Sequence, residues 1–184
     1  MRQTVHVALN WSAIDWHPDD TWKKATLPKL IAAGVNPKDI KRSVYVIRLN
    51  GDYAIQYPNG ETPAVYVGEG NFSSRINSHR TWVTEIKELV GQFSFQVCIA
   101  TPRVQKNENA YLDCEAVLLE RFGAKFHSAP LWNKQFEKRK FPHHVYSQKQ
   151  VDYALCKRSG AKYKWALMPM RSSPFYRSYG KTHL

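Results

Sequence analysis

The sequence predicts an α/β (α+β) chain built on a small, mainly antiparallel three-stranded sheet flanked by helices, and three patterns predict it. An apolar, β-branched run at 43–49 ends at Asn50 and Gly51 and resumes at 64–67, the pattern of a hairpin. Residues 93–100 place Phe93, Phe95, Val97 and Ile99 on one face, the period of a half-buried strand. Two stretches of helical character, 71–90 and 108–122, follow the second and third strands, so the central order is β-β-α-β-α.

Residues 1–42 form an N-terminal extension expected to pack on this core. It opens on an alternation of Val5, Val7 and Leu9, passes Trp11, Trp16 and Trp22, and carries a helical candidate at 26–33 closed by Gly34. The core unit, 43–133, begins with the hairpin strands, joined by a turn-rich excursion at 50–63 that holds Pro58, Asn59, Gly60 and Pro63. Asn71 is suited to cap the first helix, because its side chain can accept from the orphan N–H groups of the first turn. The second helix is expected to stop at Gly123, a residue free to take the left-handed conformation that closes helices. Residues 134–184 make a basic, aromatic C-terminal extension. No internal repeat is visible, so a solenoid or propeller is excluded.

Twenty-seven Lys and Arg against fifteen Asp and Glu leave a net charge of +12. That excess suits a polyanion, since neutralising phosphates releases condensed counterions; an acidic protein or a membrane surface would also accept it. Lys134, Lys138, Arg139, Lys140, Lys157, Arg158, Lys162 and Lys164 stand among Tyr163, Trp165, Phe175, Tyr176 and Tyr179. Cations beside flat rings suit phosphate contact and base stacking, and a solvated tail is the other reading of the same residues. The three cysteines are widely spaced with no C-x-x-C pair, which argues against a zinc site or a disulfide framework; Cys98 and Cys114 fall in apolar contexts expected of core. No signal-peptide or membrane-span pattern occurs, so a soluble, cytoplasmic protein with no membrane partner is expected.

Two groups of residues carry candidate chemistry. Arg75 and His79 lie four apart on the first predicted helix and so share a face, pairing a fixed cation with a proton-exchanging group; an ordinary solvated helix face would look the same. Leu112, Glu115, Leu119 and Phe122 form one helical stripe, so a carboxylate is aimed toward core or cleft, while Asp113 and Glu120 lie off the stripe and can be solvated. A buried carboxylate needs a divalent ion or a Lys or Arg partner. Gly68-x-Gly70 is too short for a dinucleotide loop, the adjacent His143 and His144 lack a carboxylate pair, and no G-x-S-x-G, Walker A or H-E-x-x-H pattern occurs.

Together, Val44-Tyr45-Val46, Tyr66-Val67-Gly68, Arg75-x-x-x-His79, Glu115 and Asn133 resemble, in order and spacing, the signature of the GIY-YIG nuclease superfamily. The match spans 44–133; Val44 stands where the first motif has glycine, and Val67 where the second has isoleucine. The resemblance implies a metal-dependent endonuclease acting on DNA, with the helix-borne Arg and His closest to the restriction-endonuclease branch and a homodimer as one form. RNA as substrate, a nuclease toxin, and a non-catalytic nucleic-acid-binding scaffold are the alternatives. It further implies Glu115 as the metal ligand, and one carboxylate with waters suits Mg²⁺ or Mn²⁺. Tyr45 would lie by the attacking water and help deprotonate it, and Tyr66 would orient water or phosphate. Arg75 would stabilise the charged transition state, His79 would assist proton transfer, and Asn133 would position a phosphate or hold the site together.

Overall fold

Every residue of the run Ser43–Leu49 is buried, which requires cover on both faces of that strand and partners at its edges. The computed structural model, which describes residues 3–90, 94–134, 136–177 and 179–180, supplies both. Phe93, expected to open the third core strand, lies outside the described residues, as do residues 181–184.

The chain opens with β1 (Val5–Val7) and β2 (Ser12–Trp16), then runs through a wide helical turn (Trp22–Thr26) into α1 (Leu27–Ala32). Gly34 follows with φ +85°, the left-handed stop its position predicted. After β3 (Ser43–Leu49) come β4 (Tyr53–Tyr57), β5 (Gly60–Thr62) and β6 (Ala64–Gly70). Next come α2 (Phe72–Val90), β7 (Phe95–Ala100) and α3 (Ala110–Phe126). The last elements are β8 (His144–Tyr146), α4 (Gln148–Leu155) and β9 (Trp165–Leu167). The chain is mixed α/β; β3, β6, α2, β7 and α3 follow the expected β-β-α-β-α order, with β4 and β5 inserted between the first two strands. Among the described residues no helix is long and apolar enough to cross a membrane.

The main sheet has four strands rather than three, in the order β2-β7-β3-β6, all antiparallel. The extra strand comes from the N-terminal extension: β2 pairs along β7 from Ser12–Ile99 to Trp16–Phe95, with Ile14 and Trp16 turned inward and Asp15 outward. Trp16 is fully buried against the Phe95 ring, and Trp22 meets Phe72 edge-on. Those rings explain the Trp-rich opening, since each carries a large apolar area to the core. The excursion at 50–63 is not irregular either: β4 and β5 form a hairpin, and β9 adds to β4 in parallel to make a second sheet.

Helix α3 runs through Gly123 to Phe126 and ends at His127, whose φ is +52°. Gly123 serves packing instead of termination: a Cβ there would stand 3.1 Å from the Phe136 ring. Cys98 and Cys114 are buried and free, as their contexts predicted.

The C-terminal extension is tied to the core by a buried cation. Arg48 on β3 is 2% exposed, and its guanidinium donates to the carbonyls of Tyr153, Ala154 and Cys156 at 2.9 Å each. These are orphan carbonyls at the end of α4, where positive charge also complements the helix dipole. Val151, Ala154 and Leu155 of that helix join the same apolar cluster as Val7, Leu9 and Trp16. Arg48→Met keeps the volume and strands the three carbonyls, so it should cost about 1–3 kcal/mol. Urea unfolding measures this, and Arg48→Lys should restore only part of the loss because it lacks the fork.

Candidate active site

Antiparallel pairing sets Tyr45 on β3 directly across from Gly68 on β6. Tyr66, two residues before Gly68, lies on the same face of the sheet. The Tyr45 ring runs across the space that a side chain at 68 would fill: a Cβ there would stand 2.6 Å from the Tyr66 ring and 2.8 Å from the Tyr45 hydroxyl. The glycine of the second motif thus lets the two rings approach, with centroids 6.1 Å apart.

Helix α2 covers this face. Asn71 starts it as expected, its side-chain oxygen accepting from the Ser73 N–H at 3.2 Å. One and two turns on, Arg75 and His79 project together toward the tyrosines. His79 Nε2 lies 2.8 Å from the Tyr45 hydroxyl, and Arg75 approaches Glu69 at 3.6 Å. Trp82 follows on the same face, its indole N–H donating to His79 Nδ1 at 3.3 Å.

Between α2, α3 and the segment 132–140 lies a cleft of about 590 Å³. Tyr66, Arg75, His79, Glu115 and Asn133 all line it, with Glu69, Trp82, Trp132, Lys134, Glu137 and Lys140. Five of the six residues picked from the sequence therefore meet at one cavity. Tyr45 does not: its ring is fully buried beneath the cleft floor, and Tyr66 is the tyrosine that faces the opening.

The electrostatics follow burial. Glu115 is half-buried, and among the described residues no hydrogen bond or ion pair holds its carboxylate. Loss of solvent, and then the negative charges of Glu69 and Glu137, push its pKa up to about 7; Arg75 and Lys140 oppose this. His79 is pushed down to about 4, by burial first and by Arg75 second, so it is a neutral imidazole at pH 7. Burial raises both tyrosines above the ordinary phenol value, Tyr45 far above it, although Arg75 pulls the other way. An ionised Tyr45 acting directly on water is therefore not what this geometry offers.

Asn133 has a different task from phosphate binding. It is 6% exposed; its oxygen accepts from the Val67 N–H at 2.9 Å and its amide donates to the Val67 carbonyl at 2.7 Å. With the Trp132 backbone N–H on the Val65 carbonyl, it satisfies the outer edge of β6, which no strand among the described residues covers. Of its two sequence-predicted roles, this is the one that holds the site together.

Asp113 is not solvated. It is completely buried, accepting from Arg139 Nη2 at 3.0 Å, the N–H groups of Lys140 and Phe141 at 2.8 and 2.9 Å, and the Tyr146 hydroxyl at 3.0 Å. Burial alone would raise its pKa; those hydrogen bonds outweigh burial and hold it below the usual carboxylate range. Glu120 is exposed, as its place off the stripe allows. Arg139, predicted to contact nucleic acid, is consequently a structural residue whose guanidinium is committed to Asp113 and to the carbonyls of Phe141 and His144.

The other predicted contact residues split into two groups. Lys134 and Lys140 border the cleft and Lys138 is exposed beside them. Lys157 pairs with Glu61, Lys164 with Asp52, and Arg158 with Gln96 and the Tyr153 ring, away from the cleft; Lys162 is exposed among them. Sequence reasoning missed Glu69, Trp82, Trp132 and Glu137. Helical spacing from His79 could have found Trp82, whereas the other three reach the cleft only through the fold.

No protein-family model, curated protein sequence or solved structure matches this chain.

Gly68→Ala should displace the Tyr45 and Tyr66 rings, costing about 1–3 kcal/mol as overpacking does. Thermal unfolding measures the cost, and near-ultraviolet circular dichroism should register the altered tyrosine environment.

Proposed function

We propose that this chain is a metal-dependent endonuclease of the GIY-YIG kind that hydrolyses phosphodiester bonds in DNA. One observation carries the reading: the unpaired Glu115 carboxylate faces the same cleft as Tyr66, Arg75 and His79, with Lys134 and Lys140 at its border. A desolvated carboxylate without a partner costs stability, and such costs concentrate where a site needs them.

The donor set fits a hard divalent ion. Glu115 offers carboxylate oxygen to the cleft, and Mg²⁺ or Mn²⁺ binds through one or two carboxylates while keeping waters. Among the described residues no group of three His, Cys, Asp or Glu could by itself hold a metal ion, so an ion in this cleft would rest on Glu115 and rely on water or phosphate oxygens for the rest. Such an ion supplies positive charge where the scissile phosphate gains negative charge.

The chain's own groups account for the remaining work. Arg75, half exposed and always protonated, stabilises charge on the phosphate as it becomes five-coordinate. Tyr66 presents a hydroxyl to the attacking water or a phosphate oxygen, and Tyr45 and His79 act through it from below. Lys134 and Lys140 take flanking phosphates, sequence-independent contacts that weaken with salt. A restriction-type enzyme would cut both strands of a palindrome as a two-fold homodimer.

Digestion of mixed plasmid and phage DNA tests the reading. With Mg²⁺ the protein should release discrete fragments, EDTA should stop it, and Glu115→Gln should cut the rate by at least about a hundredfold, several kcal/mol of lost charge stabilisation. Salt-sensitive DNA binding without cleavage, or cleavage of RNA alone, would overturn it.

The same variant should gain stability. The folded-state pKa of Glu115 is raised to about 7, so wild type loses stability as pH rises from the ordinary carboxylate value through that point. Glu115→Gln escapes this loss. Without divalent ions it should melt higher than wild type at pH 8 and level with it at pH 4. Mg²⁺ should bind more weakly below pH 7, where it must displace a proton. Calorimetry in buffers of different ionisation enthalpy would count that proton.

A further inference from the structure

An indole N–H is a donor and never an acceptor. Trp82 Nε1 stands 3.3 Å from His79 Nδ1, so the bond exists only when Nδ1 carries a lone pair. His79 is 4% exposed, and its other nitrogen, Nε2, lies 2.8 Å from the Tyr45 hydroxyl. With Nδ1 accepting, the imidazole proton sits on Nε2 and is donated to the Tyr45 oxygen.

We propose that Trp82 is a positioning residue whose indole N–H locks His79 in the Nε2–H tautomer, so that His79 donates to Tyr45 and the Tyr45 proton turns toward Tyr66 and the cleft. This rests on the nuclease reading for its function, though the tautomer itself does not.

The orientation matters because the other tautomer reverses the chain. A bare Nε2 would accept the Tyr45 proton and hold it beneath the floor. A protonated Nε2 instead leaves Tyr45 its own proton and polarises the hydroxyl, making it a stronger donor toward Tyr66. Tyr45 in turn favours the ionised form of Tyr66, as Arg75 does from the other side. The polarity set at Trp82 therefore reaches the hydroxyl that faces the cleft.

Trp82 is itself held in place. Its ring stacks on Trp132 at 4.5 Å and 23°, and Trp132 packs on Phe175 at 4.8 Å. The Trp132 backbone N–H donates to the Val65 carbonyl, so the ring stack is anchored to the edge of β6. A Trp82 that only filled space would serve equally well without its N–H.

Long-range ¹⁵N correlation spectra of His79 test the lock, with Trp82→Phe as the variant that keeps a ring for Trp132 and loses the donor. In the wild type, Nδ1 should resonate as a bare nitrogen and Nε2 as a protonated one from pH 6 to 8. In Trp82→Phe the two should move toward each other as tautomers exchange. With DNA and Mg²⁺, the variant's kcat should fall on the order of tenfold to a hundredfold at unchanged KM, part of what acid–base groups contribute. In a His79→Gln background, where the amide can donate to Tyr45 unaided, Trp82→Phe should cause no further loss. A protonated Nδ1 in the wild type, or unmoved His79 resonances in Trp82→Phe, would overturn the proposal. The wild-type spectrum decides even if the variant does not fold. It also decides if no DNA is cut, which separates a failed lock from a failed nuclease reading.

Discussion

One buried carboxylate, Asp113, fixes the wall of the cleft. Its oxygens accept from Arg139, two successive backbone N–H groups and Tyr146, which pins the segment 139–146 against α3. Glu115 follows two residues later, about 200° around the helix axis. The same helix therefore holds the wall with one carboxylate and offers the other to the cleft. A charge buried this deeply is tolerable only while all its partners stay, because breaking a buried pair costs about 3–5 kcal/mol. Position of the Lys140 segment and integrity of the fold are thus one constraint.

The site divides into groups that are satisfied and groups that are not. Asn133 closes the edge of β6 with both ends of its amide, and Gly68 makes room for two rings. Arg75 stands among Glu69, Glu115 and the two phenols, each of which favours its charge despite the burial that opposes it. Glu115 is left raised, with no hydrogen bond or ion pair to it among the described residues. Contrast between neighbours, more than any single unusual group, sets this cleft apart.

Local periodicity made much of this legible. Spacing of four put Arg75 and His79 on one face, and a stripe of apolar neighbours aimed Glu115 inward. The hairpin and the third strand were visible in alternation and turn residues. Relations across long sequence gaps stayed hidden. Asp113 fell off its helical stripe and read as solvated because its partners lie 26–33 residues away. Gly123 looked like a stop signal, yet the glycine is needed because the Phe136 ring lies against it. The fourth strand, Ser12–Trp16, has only two inward residues, too few to stand out among the tryptophans. Tyr45 and Tyr66 carry similar motifs, and only the depth of the sheet beneath α2 separates the fully buried one from the partly buried one.

The parallel pairing of β1 with β8, from Val5–His144 to Val7–Tyr146, joins two stretches 139 residues apart. During synthesis residues 5–7 must wait for 144–146 before either strand has its partner. Contacts of such long range form late and slowly. The wall that Tyr146 and Asp113 complete is then among the last features to settle, and a nascent chain stalled before that point would carry the tyrosines, Arg75 and Glu115 without an assembled cleft.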